Sequence, residues 1–295
     1  MKIRFAVAPG SGPLDGEELA RFGDAVETSG FDGIWLSDLP LAPVLDPLLG
    51  LAVLAGRTRR CHLGANVVPL GRNPFLLAKE LAQLDRLTGG RLLLSFVPGL
   101  GSPEERETLG VEGADRGAIL EEALGLVRAW WAGDVVDHRS PRWSFSTVAA
   151  AARPVQDPLE VWLGGRAGTS LDRAGRIADG WLGSTLTPDE AERARRRIQR
   201  AASRAERRFD PEHFGLSIGY ARADPDPSAL ARLRVLRDDL DPRELLPVGA
   251  QELRSSIERH IDAGLSKFVL RPTDAVASWD EEVAWLAAAI LDLQT

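Results

Sequence analysis

The chain repeats one theme from end to end: a short β-favouring run, a loop, then an amphipathic helix. Eight such runs stand out: Ile3–Ala8, Gly33–Ser37, His62–Val67, Arg91–Val97, Glu160–Gly164, Gly180–Thr185, Phe214–Ala221 and Lys267–Arg271. Most are short and apolar without strict alternation, the pattern of parallel strands covered on both faces. The stretches between them carry helix punctuation. Asp46 before Pro47 and Asn73 before Pro74 set a capping side chain ahead of a proline at the first helical position. The helix after Asn73 is expected over Phe75–Leu87, stopped by Gly89-Gly90. Asp115 caps a long helix ending near Trp130-Trp131, Asp189–Arg208 reads as a charged outer helix, and Trp279–Leu293 closes the chain. Eight β/α alternations predict an α/β fold, a (β/α)8 TIM barrel, rather than an open doubly wound sheet. A dinucleotide-binding sheet would want Gly-x-Gly-x-x-Gly after its first strand, and the prolines of Pro9-Gly10-Ser11-Gly12-Pro13 break that pattern. Residues 1–295 read as one domain, with an irregular insertion, Gly133–Pro158, between the fourth barrel helix and the fifth barrel strand.

Composition removes several function classes. Hydrophobic residues make up 44% and charged residues 27%, enough apolar surface to offset the entropy of ordering. The longest apolar stretch, around Leu48–Ala55, is far short of the roughly 18 residues of a membrane span. A net charge of −7 disfavours a general nucleic-acid or anionic-membrane binder. Cys61 is the single cysteine, so no intrachain disulfide forms, and a cytoplasmic setting is expected. Met1–Phe5 reaches Pro9-Gly10 too soon for a signal-peptide core.

In a barrel of this kind the chemistry sits at the carboxyl ends of the strands. Those ends read Ser37-Asp38-Leu39, Asn66-Val67-Val68, Val97-Pro98-Gly99-Leu100, Gly164-Gly165-Arg166-Ala167, Ser184-Thr185 and Arg271-Pro272. None of the four histidines, His62, His138, His213 and His260, falls there, which argues against a metal cluster or a nucleophile–histidine triad. Cys61 falls at the opposite end and reads as a buried thiol. Asp38 has no second well-placed acid across the mouth, with only Glu104 and Glu105 within reach from a loop, so a paired-carboxylate glycosidase is disfavoured. A mouth of glycines, small side chains and backbone donors suits a bound cofactor that carries the chemistry itself. Gly164–Thr169 admits two readings: an anion-binding turn with Arg166 as a fork donor, or an ordinary tight turn with a solvent arginine. Asp38 likewise is either an acceptor for a cofactor ring or substrate, or a loop-capping aspartate. Trp35, Trp162 and Trp181 lie on strands and read as core.

Several segments, taken in order, carry a family likeness. Gly30-Phe31-Asp32-Gly33-Ile34-Trp35-Leu36-Ser37-Asp38 resembles the second-strand signature of the luciferase-like monooxygenase superfamily. Leu63–Val67, Arg72–Lys79, Leu84–Arg91, Arg153–Gln156, Trp162–Arg166 and Ala178–Trp181 continue the resemblance, which is weakest from about Asp189 to Arg254. Within the superfamily the chain looks most like the branch that uses the deazaflavin coenzyme F420. The resemblance implies a (β/α)8 barrel with F420, or alternatively flavin mononucleotide (FMN), in its mouth. It further implies the coenzyme phosphate near Gly165, Arg166 and Ala167, contacts at Gly99, and Asp38 beside the hydride-carrying part of the ring. A non-prolyl cis peptide under the ring would fall at Asn66–Val67, a bond costing about 3–4 kcal/mol.

Two positions depart from the family's sugar-phosphate dehydrogenases: Leu39 stands where they have histidine, and Leu100 where they have glutamate. Alcohol oxidation needs a proton acceptor at the carbinol, so the departure favours hydride delivery to an electron-poor double bond. Leu39, Leu41, Leu100 and Phe96 suggest an apolar mouth and a small, apolar organic substrate. Two other readings stand beside this one: an FMN-dependent monooxygenase, and a cofactor-binding barrel without turnover. Members of the family are often homodimers, and the Trp130-Trp131 neighbourhood permits that.

Overall fold

A computed structural model of the chain describes residues 1–10, 12–150 and 152–295. In chain order the elements are β1 (Arg4–Val7), α1 (Gly16–Ser29), β2 (Gly33–Ser37), α2 (Pro47–Arg57), β3 (His62–Val67), α3 (Pro74–Thr88), β4 (Leu92–Phe96), α4 (Pro103–Thr108), α5 (Arg116–Ala132), β5 (Val135–Arg139), β6 (Ser144–Ala149), β7 (Val161–Gly164), α6 (Gly168–Ile177), β8 (Gly180–Ser184), α7 (Pro188–Arg204), β9 (Phe214–Tyr220), α8 (Pro227–Leu236), α9 (Gly249–Asp262), β10 (Lys267–Pro272) and α10 (Trp279–Ile290). Eight strands close into a parallel barrel in the order β1-β10-β9-β8-β7-β4-β3-β2. These are the eight strands read from the sequence, each within two residues of its expected ends. Asp46, Asn73 and Asp115 cap α2, α3 and α5 as expected. Residues 133–158, expected to be irregular, instead contain an antiparallel hairpin, β5 with β6. Its alternation was hidden because both strands are largely exposed and carry polar residues on either face. None of the described helices is long and apolar enough to cross a membrane.

Two apolar layers hold the barrel. Side chains pointing outward from the strands, such as Phe5, Ile34, Leu63 and Phe96, form one continuous core with the surrounding helices. A second, smaller cluster fills the barrel: Ala8, Trp35, Leu182 and Val269, with Ala6, Leu93 and Trp162 packed against it. The two interior tryptophans are admitted by glycines. A side-chain carbon at Gly64 would overlap the Trp35 ring, and one at Gly180 would overlap Trp162. Trp181 points the other way, into the outer core, and its Nε1 donates to the Gly165 carbonyl at 2.9 Å. The three strand tryptophans are thus packing residues, as read.

Several segments of the family likeness meet at the outside of this barrel. Asp85 on α3, fully buried, accepts hydrogen bonds from Val155 N at 2.7 Å, Gln156 N at 2.9 Å and Gln156 Nε2 at 2.7 Å. The chain leaving the hairpin is thereby tied to the barrel wall before β7 begins. Replacing Asp85 with alanine removes the acceptor of three part-buried hydrogen bonds, although Gln156 Nε2 keeps its bond to Leu92 O at 2.9 Å; a hydrogen bond to a charged group is worth about 1.5–3 kcal/mol. We expect Asp85→Ala to lose about 2–3 kcal/mol of stability, read as a lower urea midpoint, with coenzyme affinity unchanged.

Candidate active site

The carboxyl ends of β2, β3, β4 and β10 present an inward polar layer: Ser37, Asn66, Ser95 and Arg271. Parallel register sets Ser37 beside Asn66 and Asn66 beside Ser95. Arg271 Nη2 donates to Ser37 Oγ at 2.9 Å, and Asn66 Nδ2 donates to the same oxygen at 3.1 Å. That bond to Ser37 is the guanidinium's one hydrogen bond among the described residues, and no carboxylate stands within ion-pair distance. Part of its surface still faces the mouth, but the surrounding atoms are close enough that burial pushes its pKa down. A desolvated, uncompensated cation is costly, so this layer favours a negatively polarised partner. Ser95 Oγ is also buried without a partner. Arg271 and Ser37 line a narrow recess together with Trp35 and Leu39. A wider cleft of about 850 Å³ opens on the rim, among Gly12, Asp224, Arg232 and Asp274.

Asp38, the residue after β2, is held by one carboxylate oxygen. Its Oδ2 accepts from Val68 N at 3.1 Å and from Arg72 Nη2 at 2.9 Å, and the residue is 9% exposed. The same Arg72 nitrogen reaches Asp46 at 3.2 Å, and Asp46 in turn caps α2. Burial lowers the guanidinium's pKa, but the Asp38 and Asp46 carboxylates outweigh it and leave Arg72 raised. Through Oδ2, Asp38 therefore ties the turn after β3 to the start of α2, and Oδ1 accepts no hydrogen bond among the described residues.

Asn66 and Val67 lie within β3, and the peptide bond between them is trans, against the expectation of a cis bond. The strand ladder runs straight through it: Asp38 N donates to Asn66 O and Val97 N to Val67 O, both at 3.0 Å. With both carbonyls engaged in extended geometry, nothing offsets the cost of a cis bond. Asn66 faces the polar layer, whereas Val67 is fully buried in the outer core.

The turn Gly165-Arg166-Ala167 joins β7 to α6. Gly165 has φ of +107°, and a side chain there would press on Ser170. Ala167 starts α6 without a side-chain cap, so the first N–H groups of the helix stay free for an anion. Arg166 and Ala167 are exposed, and Arg166 Nη2 donates to the Leu236 carbonyl at 2.7 Å. The segment that receives it is anchored by Arg237, 1% exposed, which bridges Glu190 at 2.7 Å and Asp239 at 2.8 Å. The bond to Arg237 holds the Asp239 carboxyl down at about 2 and raises Arg237 in turn.

Gly99 lies in the loop after β4 at φ of +74°, and Arg116 Nη1 donates to the carbonyls of Pro98 at 2.8 Å and Gly99 at 3.3 Å. Buried Glu105 accepts from Gly101 N at 3.1 Å, so this acid serves the loop rather than the mouth. Leu100 is 68% exposed at the loop tip, and Leu39 lines the recess. Phe96, expected at the mouth, is instead fully buried in the outer core, because it stands on the outward phase of β4. At the far end, burial pushes the Cys61 thiol up to about 12, which leaves it inert. Arg271 and Ser95 were not singled out beforehand. Arg271 is visible in the sequence as a lone cation at a strand end, but its lack of a partner is a three-dimensional fact.

Comparison with known proteins places this arrangement. The profile of the luciferase-like monooxygenase family matches residues 1–288. An F420-dependent glucose-6-phosphate dehydrogenase of Microbacterium testaceum is 32% identical over 194 residues, covering 61% of this chain and 56% of that protein. A phthiodiolone/phenolphthiodiolone dimycocerosates ketoreductase of Mycobacterium tuberculosis is 32% identical over 190 residues, covering 62% and 49%. The match thus spans about half the length of these relatives. Among solved structures, an F420-dependent secondary alcohol dehydrogenase superposes with a TM-score of 0.83 at 16% identity, over 100% of both chains. The oxygenating constituent of a Baeyer–Villiger monooxygenase from Pseudomonas putida, in complex with FMN, does so with a TM-score of 0.77 at 15% identity, over 100% and 99% of the two chains. Barrel, strand signatures and profile agree, and the chain belongs to the luciferase-like monooxygenase family of enzymes.

Proposed function

We propose that this chain is an F420-dependent oxidoreductase that moves a hydride between the deazaflavin coenzyme and a small, apolar organic substrate. The observation that carries the reading is the floor of the mouth: an unpaired guanidinium at Arg271 and an orphaned hydroxyl at Ser95, both on inward strand positions. These groups fit the polar edge of a planar heterocycle, and the free N–H groups of α6 beside Arg166 fit a phosphate. The name of the relative from Microbacterium supports the same coenzyme. When bound, the deazaflavin supplies two-electron hydride chemistry. The chain's own share is to hold it: Arg271 balances negative charge in a site of low dielectric, Ser95 and Asn66 offer polar contacts, and Gly99, Gly165 and Ala167 leave backbone room. Val67 supports from behind the strand, and Asp38 acts as a positioning residue through Arg72 and Val68.

The reading is tested by fluorescence titration of the protein with oxidised F420 and with FMN. F420 is expected to bind in the micromolar range or tighter, and more tightly than FMN. Tight FMN binding without an F420 response would turn the assignment to the monooxygenase reading, and retention of F420 with no change in any substrate to the non-catalytic one.

Arg166 supplies a second test. A charge-assisted hydrogen bond is worth roughly 1.5–3 kcal/mol, about ten- to a hundredfold in affinity. Arg166→Ala is expected to weaken F420 by that factor and to leave a phosphate-free deazaflavin fragment nearly unaffected. Equal losses for both ligands would show that Arg166 acts through its bond to Leu236 on the packing of the rim.

The direction of the chemistry follows from Leu39 and Leu100. Neither side chain can take or give a proton, and general acid–base assistance is worth typically 10²–10⁴-fold. Reduction of an activated alkene, imine or nitro compound can draw its proton from solvent, whereas oxidation of a secondary alcohol loses the acceptor it needs. In paired assays at neutral pH following deazaflavin absorbance, turnover is expected with the activated acceptors and none with glucose 6-phosphate or simple secondary alcohols. Rapid alcohol oxidation would refute this.

A further inference from the structure

The barrel has a second recess, open at the end opposite the mouth. A cavity of about 220 Å³ lies inside the amino ends of the strands, walled by Trp35, Leu93, Trp162, Leu182 and Val269. Its rim is ionic: Arg4, Asp32, His62, Glu160, His213 and Lys267. The volume falls below the roughly 300–1,000 Å³ of drug-sized pockets, so an occupant has to be compact. Lys267 and Arg271 are the first and fifth residues of β10, separated by about 13 Å of strand. The cavity and the mouth are therefore distinct, with Trp35 lining both the cavity and the recess beneath Leu39.

Two features of this space call for a ligand. The Trp35 indole Nε1, on a residue 6% exposed, is buried with no acceptor, although buried indole N–H groups ordinarily find one. His62 Nδ1 is also buried without a hydrogen bond, its nearest acid being Asp32 Oδ2 at 3.6 Å. The second feature is charge. Asp32 is flanked by both Arg4 and His62 at 3.6 Å, and Glu160 by His213 at 3.5 Å. Lys267 is left over. Its ammonium donates to two neutral oxygens, Lys2 O at 2.8 Å and Ser266 Oγ at 3.1 Å, while Glu212, Asp32 and Asp210 act on it from beyond ion-pair distance. Lys267 thus meets no carboxylate within ion-pair distance at the rim of an aromatic and aliphatic interior, with the Trp162 ring lying 5.3 Å from that of His213.

We propose that the amino end of the barrel is a second small-molecule site, which takes a compact monocarboxylate with an aromatic or aliphatic body. The carboxylate sits between Lys267 and the rim donors, and the body enters among Trp162, Leu93, Leu182 and Val269. A neutral analogue loses the attraction of the lysine, and a cationic one is repelled by it. The site is independent of the coenzyme reading, because it shares with the mouth only the Trp35 ring.

The test uses the full chain and isothermal titration calorimetry with three probes of one shape: benzoate, benzyl alcohol and benzylamine. Benzoate is expected to bind saturably at one site, with the other two at least tenfold weaker. Lys267→Gln, which keeps a donor for Lys2 O without the charge, is expected to weaken benzoate tenfold or more. Ala6→Leu, which fills the cavity from β1, is expected to abolish benzoate binding while F420 titration stays unchanged. If Ala6→Leu fails to fold by circular dichroism, Leu93→Phe fills the same space from β4. No saturable benzoate binding, equal affinity for benzyl alcohol, or benzoate binding that survives in the folded cavity-filling variant would each overturn the proposal. Failure here with F420 binding intact leaves the reading of the mouth standing, and the reverse outcome leaves this site standing.

Discussion

The barrel closes around two tryptophans, and the rest of the structure accommodates them. Trp35 from β2 and Trp162 from β7 occupy the interior where a barrel of this strand number is ordinarily filled by branched aliphatic side chains. Each ring takes the place of a neighbour's side chain, at Gly64 and Gly180. Interiors pack at near-crystalline density, so ring and glycine form one unit: enlarging the glycine displaces the indole, and shrinking the indole opens a void. Two bulky planar residues cannot tile a circular section as evenly as branched ones. Space left below them is the cavity at the amino end, and above them the polar layer of Ser37, Asn66, Ser95 and Arg271 begins.

The fold was legible because its signals are local. Each strand is a short apolar run, each helix has a cap or a glycine stop, and parallel strands that are covered on both faces need no long-range information to be recognised. The hairpin of residues 133–158 escaped because its strands bury little, so their sequence carries no apolar phase. Phe96 was misplaced for a related reason. A run that is apolar on both faces does not say which residues point inward, and one residue of phase separates the mouth from the outer core.

The family likeness was legible too, but much of what it rests on is scaffold. Asp32 pairs with Arg4 and His62 below the barrel, Asp85 gathers Val155 and Gln156, and Asp179 accepts from Val161 N at 2.9 Å. These acids tie loops to strands on the side away from the chemistry. Asp85 and Asp179 satisfy backbone donors that the fold fixes, so the segments that carry the likeness identify the barrel without identifying a substrate. Asp38 follows the same rule. Its position at a strand end invites a catalytic role, yet one oxygen of its carboxylate, Oδ2, holds Arg72 and Val68 N.

What the sequence could not convey is where charge is left uncompensated. The chain has 36 lysines and arginines, and in the list of residues each looks like any other surface cation. Folding separates them. Arg72 and Arg237 meet carboxylates at 2.9 and 2.7 Å, so their charges are used up in holding the rim. On β10 the same strand carries Lys267 at one end and Arg271 at the other, and neither meets a carboxylate within ion-pair distance. Desolvating a charge without a partner costs several kcal/mol, and a scaffold has no use for that cost. A small anion or a polarised heterocycle recovers it on binding, with the hydrophobic interior supplying the rest of the affinity. The inward phase of β10 thus places one unspent positive charge at each mouth of the barrel, and the two tryptophans between them keep the two sites apart.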